Sequence, residues 1–501
     1  MSDCNKRIFN VEFTGEEIRE AKEHGRLLSM EIEFNTKCDF QCPYCYVKSD
    51  SFFDKEMDLN QIQDIILQAK NLGAKKIIVL GGEPLIYPHI LEVLSFIRNE
   101  GLESEMFTNG SQVNEVIANT LFDLGVNIVL KMNSFNKETQ DMLTGIQGSH
   151  LMIKEAIENI QKAGYPAKNK YVAVSTIICQ QNIDELTDLW IWLRDRNILP
   201  YFEMITPQGK FNDHQWLEVD SLEVERLFKK IAKIDKEKYG NTWEVQPPLI
   251  GNKCFRHQYS CFVNANGDVM PCVGVTIPMG NVRSKKLKDI LETSEVMEDL
   301  KNYKNLIKGP CRACDELDHC YGCRGSAYQI TGDYLASDPL CWKNYNRQSE
   351  ITKLPISVEN IIPQKTPMRV IDKLLSVRDR RAEASVRISE NMLFIDKKGQ
   401  LNGAIYLEMI AQTIAAHNCF KNLGNPGYKV EGFLLGAKKM KIFGNASVGD
   451  TLLISIEKKA RYGNFAIVEG EVVKGNRVLA RGEVKIWHSE NAEVGRLTLV
   501  Q

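Results

Sequence analysis

The sequence predicts an α/β fold followed by a separate α+β domain, and three observations support this prediction. Short apolar strands alternate with amphipathic helices between about residues 28 and 206. A cysteine-rich stretch with weak periodicity comes next, and beyond residue 366 one apolar helix precedes three long strand patterns. Because strands that alternate with helices pair in parallel, the first region is predicted to form a partial (β/α)6 barrel.

The 501 residues are expected to form about three domains. The first turn signal is Thr14 followed by Glu17, which predicts a capping box at the start of a short helix. The predicted segments are an N-terminal segment 1–27, a barrel domain 28–245, a cysteine-rich domain 246–346, a linker 347–365 and an α+β domain 366–501.

Composition limits the partners and the compartment. The net charge of −2 gives no indication of a nucleic-acid partner. The sequence contains no run of about 18 apolar residues, so no membrane span is predicted. The start of the chain does not resemble a signal peptide, and a cytoplasmic protein is therefore expected. In that reducing compartment, 14 cysteines favour metal binding over disulfides.

The stretch "CDFQCPYC" contains three cysteines, Cys38, Cys42 and Cys45. Iron–sulfur clusters and structural zinc usually have four protein ligands, and no fourth Cys or His lies nearby in the sequence. A [4Fe–4S] cluster with three thiolates has one iron open to a small molecule. The alternative, a small zinc or ferredoxin-like site, requires a fourth ligand.

The same stretch resembles the CxxxCxxC signature of radical S-adenosylmethionine (SAM) enzymes, with an aromatic residue before the last cysteine. "GGEP" after the strand "KKIIVL" is similar to that family's second motif, and "TNG" and "KMNS" follow the next two strands. The resemblance implies that SAM is the fourth cluster ligand. The SAM-binding residues it implies are Tyr44, Gly81, Gly82, Glu83, Pro84, Thr108, Asn109, Asn133 and Ser134. A surface carboxylate at Glu83 and ordinary polar strand ends are the alternative interpretations.

Eight further cysteines lie between Cys254 and Cys341, enough for two four-cysteine sites for iron–sulfur clusters or zinc. Their spacing resembles the SPASM extension of radical SAM enzymes, which holds two auxiliary [4Fe–4S] clusters. The resemblance assigns Cys254, Cys261, Cys272 and Cys323 to the first cluster, and Cys311, Cys314, Cys320 and Cys341 to the second. Zinc in one site, or a single cluster, remains an alternative.

Two positions depart from the SPASM pattern. "CYGC" has two residues between its cysteines where many members have three. Val273 follows Cys272, where sulfatase-maturating members have an acidic base. Cys4, Cys179 and Cys419 are left as ordinary thiols.

The C-terminal pattern, a buried helix followed by antiparallel strands, suggests a hotdog fold. "GAIYLEMIAQTIAAH" resembles the helix of 3-hydroxyacyl-ACP dehydratases, which places Glu408 at that family's catalytic carboxylate. Phe394 stands in place of the catalytic histidine and Asn402 in place of a proline, and the sequence more closely resembles the degenerate dehydratase-like subunits of aryl polyene clusters. An acyl-carrier-binding module without dehydratase activity is therefore expected. A scaffold that only dimerises, with Glu408 as a hydrogen-bonded structural carboxylate, is the alternative.

These resemblances together imply an enzyme that cleaves SAM reductively and abstracts hydrogen from a substrate, with three [4Fe–4S] clusters. An acyl chain carried as a thioester is the expected substrate. A ribosomal peptide is the alternative, although residues 1–28 are too few for a leader-binding domain; a non-enzymatic electron relay is the third. The expected partners are acyl carrier protein, an electron donor such as flavodoxin or ferredoxin, and a second hotdog domain, either another copy or a dehydratase subunit.

Overall fold

The computed structural model describes residues 13–47, 56–251, 253–351, 354–377, 380–423, 432–462, 464–475 and 477–488. The chain divides into two compact units, residues 1–344 and residues 345–501. Each unit has its own hydrophobic core. Cys4 lies outside the described residues.

The helices and strands are numbered in chain order. The strands are β1 (Ser29–Glu33), β2 (Lys76–Leu80), β3 (Glu103–Thr108), β4 (Asn127–Lys131), β5 (Val172–Ile178), β6 (Leu199–Met204), β7 (Phe262–Val263), β8 (Asp268–Met270), β9 (Gly280–Asn281), β10 (Ile356–Ser357), β11 (Lys373–Val377), β12 (Arg381–Arg387), β13 (Gly432–Ile442), β14 (Thr451–Tyr462), β15 (Phe465–Lys474) and β16 (Arg477–His488). The α-helices are α1 (Gly15–Glu23), α2 (Leu59–Asn71), α3 (Ile90–Asn99), α4 (Glu115–Leu124), α5 (Lys137–Thr144), α6 (Ser149–Lys162), α7 (Leu186–Asp195), α8 (Ser221–Tyr239), α9 (Leu287–Glu292), α10 (Glu295–Lys301), α11 (Tyr303–Leu306), α12 (Arg324–Thr331), α13 (Gln348–Ile351) and α14 (Ile405–Lys421).

The first unit is built on a nine-stranded sheet in the order β6-β5-β4-β3-β2-β1-β7-β8-β9. Strands β1 to β6 pair in parallel, which confirms the predicted six-unit partial barrel. One face of this sheet packs on the helices in the main core, and the other lines the barrel interior with a smaller cluster that includes Val129, Ala173 and Tyr201. The carboxyl ends of parallel strands meet at one edge, where barrel enzymes place their sites.

The signal that begins the first helix acts as the sequence predicts. Thr14 and Glu17 form the capping box of α1, with the Thr14 side chain accepting from the Glu17 backbone N–H. The cysteine-rich region contributes the short strands β7 to β9 and the short helices α9 to α12. Only β7 continues the parallel sheet, through its pairing with β1, so irregular backbone carries most of the cysteines.

The second unit is a seven-stranded sheet in the order β10-β11-β12-β14-β15-β16-β13, packed against α14. Strands β14, β15 and β16 are antiparallel neighbours, and α14 is buried along most of its length, which confirms the hotdog-like α+β prediction. The predicted linker 347–365 needs correction. Strand β10 pairs with β11, and Val358 and Ile362 lie in the core of this unit, so the domain begins before residue 366.

Among the helices that the structure describes, none has the length and apolarity needed to cross a bilayer.

Candidate active site and metal centres

The loop that carries Cys38, Cys42 and Cys45 follows β1 and is held at several points by backbone hydrogen bonds. The Gln41 N–H donates to the Thr144 carbonyl at 2.8 Å, and the Lys210 N–H donates to the Cys45 carbonyl at 2.9 Å. Two glycines permit this close packing. A Cβ at Gly82 would lie 2.1 Å from the Lys37 carbonyl oxygen, and one at Gly209 would lie 2.4 Å from the Cys45 carbonyl oxygen. These contacts set the path of the loop across the ends of the strands.

Glu83 of the GGEP motif connects this loop to the end of β3. Its carboxylate is fully buried and accepts hydrogen bonds from the Leu85 N–H at 3.0 Å, the Thr108 hydroxyl at 2.7 Å and the Asn109 N–H at 2.7 Å. Burial raises the pKa of Glu83 to about 7, although these hydrogen bonds oppose that shift. The surface-carboxylate interpretation of Glu83 is therefore wrong.

Polar residues at the ends of β3 and β4 contact the three-cysteine loop directly. The Asn109 side-chain amide donates to the Cys38 thiol at 3.7 Å and to Asp39 at 2.7 Å. The Asn133 amide donates to the Tyr44 hydroxyl at 2.7 Å. Ser134 is also buried, and its backbone N–H donates to Gln140 at 3.0 Å. The structure thus gathers the predicted SAM-binding residues around the predicted cluster site.

The thiols of this loop are in surroundings that suit a cationic cluster. Burial raises the pKa of Cys38 to about 12 and that of Cys42 to about 11, although Phe40 and Tyr44 respectively oppose these shifts by hydrogen bonding. Iron binds the thiolate form, and a nearby metal cation favours that form. Three partly buried thiols on one loop therefore fit a [4Fe–4S] cluster with one iron open.

The second predicted auxiliary site is also assembled. Cys311, Cys314, Cys320 and Cys341 line a single pocket. Backbone and amide groups already point at its sulfurs, with the Gly322 N–H 3.3 Å from Cys320 Sγ and the Asn344 amide 3.4 Å from Cys311 Sγ.

Within the described residues, no group of three or more His, Cys, Asp or Glu side chains is close enough to hold one metal ion. Four thiolates around one Zn²⁺ would lie about 3.8 Å apart, because each Zn–S bond is about 2.3 Å long. Cysteines spread around a pocket fit a cluster, in which each iron takes one thiolate.

The first predicted auxiliary site is assembled only in part. The Cys272 loop meets the Cys323 loop, since a Cβ at Gly274 would lie 2.7 Å from the Gly325 Cα. Cys254 accepts a hydrogen bond from the Tyr321 hydroxyl at 3.9 Å. Burial, and then charge on Cys254 and Cys323, raises the pKa of Cys272 to about 12. These three cysteines therefore lie together.

Cys261 departs from the predicted set. It belongs to the main hydrophobic core on the helix-facing side of the sheet, whereas Cys254 packs against the cluster that lines the barrel interior. The sequence spacing gave no indication of which face each cysteine would occupy. The structure therefore brings Cys254, Cys272 and Cys323 together and leaves Cys261 apart from them.

In the second unit, Glu408 lies in the first turn of α14 and accepts a hydrogen bond from the Gln412 amide at 2.9 Å. Gln412 also joins the helix to the preceding loop, since its amide donates to the Met368 carbonyl at 2.7 Å. Phe394, at the position of the missing histidine, has a φ of +75° and is 47% exposed. Glu408 is therefore engaged with an amide, and Phe394 cannot transfer a proton.

Comparison with protein families assigns each region. The radical SAM superfamily model matches residues 32–190, an iron–sulfur cluster-binding domain (SPASM) matches 254–315, and the ApeP dehydratase model matches 356–495. The chain is a radical SAM/SPASM enzyme fused to a dehydratase-like domain.

Two curated relatives are similar to the radical SAM/SPASM part. An AdoMet-dependent heme synthase of Methanosarcina barkeri is 26% identical over 344 residues, which cover 63% of this chain and 96% of the relative. A second AdoMet-dependent heme synthase, from Nitratidesulfovibrio vulgaris, is 21% identical and covers 62% of this chain and 90% of the relative.

Two solved structures share the fold of this radical SAM/SPASM part. Streptococcus suis SuiB bound to precursor peptide SuiA has a TM-score of 0.51 and 16% identity, covering 65% of this chain and 78% of SuiB. The enzyme anSMEcpe with bound AdoMet and a peptide has a TM-score of 0.51 and 15% identity, covering 64% of this chain and 96% of that one. At these identities the likeness establishes the fold alone.

The radical SAM domain also has a polar group that sequence reasoning missed. The Lys131 ammonium lies 5.2 Å from the centre of the Tyr44 ring, 3.1 Å from the Ser175 hydroxyl and 3.7 Å from the Glu203 carboxylate. The Tyr201 hydroxyl donates to Glu203 at 3.1 Å. The available signal was a charged residue at or near the carboxyl end of an otherwise apolar strand. Through Lys131, this group adjoins Tyr44 of the three-cysteine loop.

Proposed function

We propose that this enzyme cleaves SAM reductively at a cluster held by Cys38, Cys42 and Cys45, and abstracts hydrogen from an acyl chain carried as a thioester. The observation that supports the first part is the contact of Tyr44 and Cys38 with the strand-end amides of Asn133 and Asn109. When bound, the cluster would supply the one electron that breaks the C5′–S bond of SAM, which gives methionine and a 5′-deoxyadenosyl radical able to abstract hydrogen.

In this proposal the chain's own residues bind and orient the cofactors. The GGEP backbone and the polar residues Thr108, Asn109, Asn133 and Ser134 would hold SAM. Glu83 holds the motif in place through three hydrogen bonds and does not need to touch SAM itself. Lys131, between Tyr44 and Glu203, offers a cation to an anionic group at the site.

The proposed complement is three [4Fe–4S] clusters, one at the SAM site and two auxiliary. Anaerobic iron analysis should then give about twelve irons per chain. A reductant such as flavodoxin or ferredoxin supplies electrons in this proposal. About eight irons together with bound zinc would mean that one cysteine set holds zinc.

The fused dehydratase-like domain supports the acyl substrate. Its helix α14 is largely apolar, and in this proposal it lines the site that accommodates the alkyl chain. Each buried methylene contributes about 0.8 kcal/mol, so a chain of several carbons would bind without any catalytic group. Acyl carrier protein is therefore the proposed partner.

The test is substrate-dependent SAM cleavage by the full-length reconstituted enzyme. Acyl carrier protein loaded with a medium-length acyl chain should raise 5′-deoxyadenosine release above the basal rate and should itself lose hydrogen. Unloaded carrier protein is the control and should have no effect. Equal release with loaded and unloaded carrier would contradict the acyl substrate.

A ribosomal peptide is the second candidate, because the fold is shared with SuiB, whose structure holds a precursor peptide. This candidate predicts stimulation by a peptide encoded beside the enzyme and none by acyl carrier protein.

A further inference from the structure

The position of Cys261 follows from strand alternation. Its carbonyl accepts a hydrogen bond from the Glu31 N–H, and β7, which follows directly, pairs with β1 so that Ile32 lies beside Val263. Side chains alternate between the two faces of a strand, so Cys261 shares the face of Val263. Both belong to the core on the helix side of the sheet. A cluster on the barrel side cannot reach this thiol without a rearrangement of the strand.

Three cysteines remain on the other side and converge there. Cys272 and Cys323 are brought together by backbone contact between their loops at Gly274 and Gly325. Cys254 joins them through the hydroxyl of Tyr321, which comes shortly before Cys323 in the chain. Three thiolates leave one iron of a [4Fe–4S] cluster without a cysteine ligand.

A buried imidazole lies next to this group. His257 is only 2% exposed, and neither of its ring nitrogens has a hydrogen-bond partner within the described residues. Its ring meets the Tyr321 ring edge-on, with a centroid distance of 5.4 Å. A buried polar group without a hydrogen-bond partner destabilises the folded protein by about 1–3 kcal/mol. A metal ion bound to the imidazole would supply the missing partner.

The local backbone brings His257 and Cys254 into one short turn. The backbone N–H of Arg256 bonds to the Cys254 thiol, and residues 256–258 form one turn of 3-10 helix. Cys254 and His257 are thus separated by two residues, the spacing with which paired metal ligands commonly begin a site. Histidine replaces cysteine on iron in Rieske centres, where it raises the reduction potential.

We propose that the first auxiliary cluster is held by Cys254, Cys272, Cys323 and the imidazole of His257, and that Cys261 is not a ligand. The inference rests on the proposed function only in requiring that this region holds an iron–sulfur cluster.

The test uses the full-length protein, reconstituted anaerobically and reduced, with histidine labelled in one sample by 15N. Pulsed EPR should show strong coupling to a directly bound histidine nitrogen, and the coupling should change with the isotope. His257→Cys should keep about twelve irons, lose the nitrogen coupling and lower the potential of one cluster. No coupling in the wild type, or coupling that survives in His257→Cys, would overturn the assignment.

A matched pair of cysteine variants tests the rest of the ligand set. Cys261→Ala should keep about twelve irons and the nitrogen coupling, whereas Cys254→Ala should lose about four irons and the coupling. Equal iron loss in both variants would overturn the exclusion of Cys261. If Cys254→Ala does not fold, the spectrum of Cys261→Ala still decides the question.

The same preparation separates this inference from the proposed function. Retained iron without nitrogen coupling overturns the histidine ligand alone. One zinc with about eight irons and no nitrogen coupling overturns both the first auxiliary cluster and this inference, while SAM cleavage at the three-cysteine loop remains separately measurable.

Discussion

Glu33 shows how burial of a single carboxyl couples stability to pH. It ends β1, where it accepts hydrogen bonds from the Tyr46 hydroxyl at 2.6 Å and the Ala265 N–H at 3.2 Å. Burial raises its pKa from the ordinary 4.5 to about 7, although these hydrogen bonds oppose the shift. Between these values the folded protein keeps a proton that the unfolded chain has lost.

The free energy of unfolding should therefore fall as pH rises from about 4.5 to about 7, by up to about 1.4 kcal/mol per pH unit from this group. Thermal or denaturant unfolding of the first unit across this range measures the slope. Glu33→Gln should make the slope shallower, while Glu83 retains its own contribution in the same direction. An unchanged slope in the variant would contradict the raised pKa of Glu33.

Two residues of the second unit indicate that it has no dehydratase activity. Phe394 cannot transfer a proton, and Glu408 is bonded to Gln412, so general acid–base catalysis, typically worth 10²–10⁴-fold, is missing. Residues 351–501 alone should not dehydrate 3-hydroxyacyl carrier protein but should bind it, as measured by product analysis and titration. Dehydration by the isolated domain would contradict a degenerate site, and absence of binding would favour a peptide substrate.

At the scale of residues, the sequence could predict which side chains take part in the candidate site better than it could predict which side chains touch. The three-cysteine loop, the GGEP motif and Asn109 were identified from spacing and from their places after strands. Lys131 and Glu203 were missed because one charged residue in a strand does not show which charges meet across β4 and β6. The position of Cys261 was not predictable either, because spacing along the chain does not show which face of a strand a thiol occupies.

At the scale of elements, one buried ion pair joins α7 to α8. Asp235 accepts from Arg194 Nε and Nη2, both at 2.9 Å, and from the indole N–H groups of Trp190 at 2.9 Å and Trp243 at 3.1 Å. Both charges are almost completely buried. Removal of one partner leaves an uncompensated charge inside the protein.

Asp235→Ala should therefore destabilise the first unit by about 3–5 kcal/mol in denaturant unfolding. The matched control is Glu225→Ala, which breaks a partly exposed pair with Lys229 on α8 and should cost less than about 0.5 kcal/mol. Similar losses in the two variants would show that the buried pair does not join these helices.

The exposed edge strand β13 of the second unit suggests that this unit associates with another chain. Strand β13 lies at an edge of the described sheet, and Phe433, Leu434 and Leu435 along it are 61%, 41% and 54% exposed. Unpaired strand edges with exposed apolar side chains favour pairing with another chain. A second hotdog domain, from another copy or from a dehydratase subunit, is the expected occupant.

Sedimentation should show a dimer that Leu435→Lys weakens, whereas Leu306→Lys, an exposed leucine of the first unit, should not. A protein cut near residue 350 should leave a monomeric N-terminal part. A dimeric N-terminal part would place the interface elsewhere.

At the scale of the molecule, strand–helix alternation was enough to predict the six-unit barrel, because each strand and helix carries its own periodicity. The second domain was predicted to begin too far along the chain. Strand β10 is only two residues long, which is too short to show an alternating pattern of apolar residues. The order of the domains nevertheless follows from composition, with the cysteine-rich region between two regions of regular pattern.

The central claim is that the Cys38, Cys42 and Cys45 loop cleaves SAM. The most direct measurement is 5′-deoxyadenosine release from SAM by the full chain, with all three cysteines changed to Ala, under reducing and anaerobic conditions. The variant should fold, keep about two thirds of the iron in its auxiliary sites and release none, because no cluster remains to reduce SAM. Release equal to that of the wild-type protein would contradict the account.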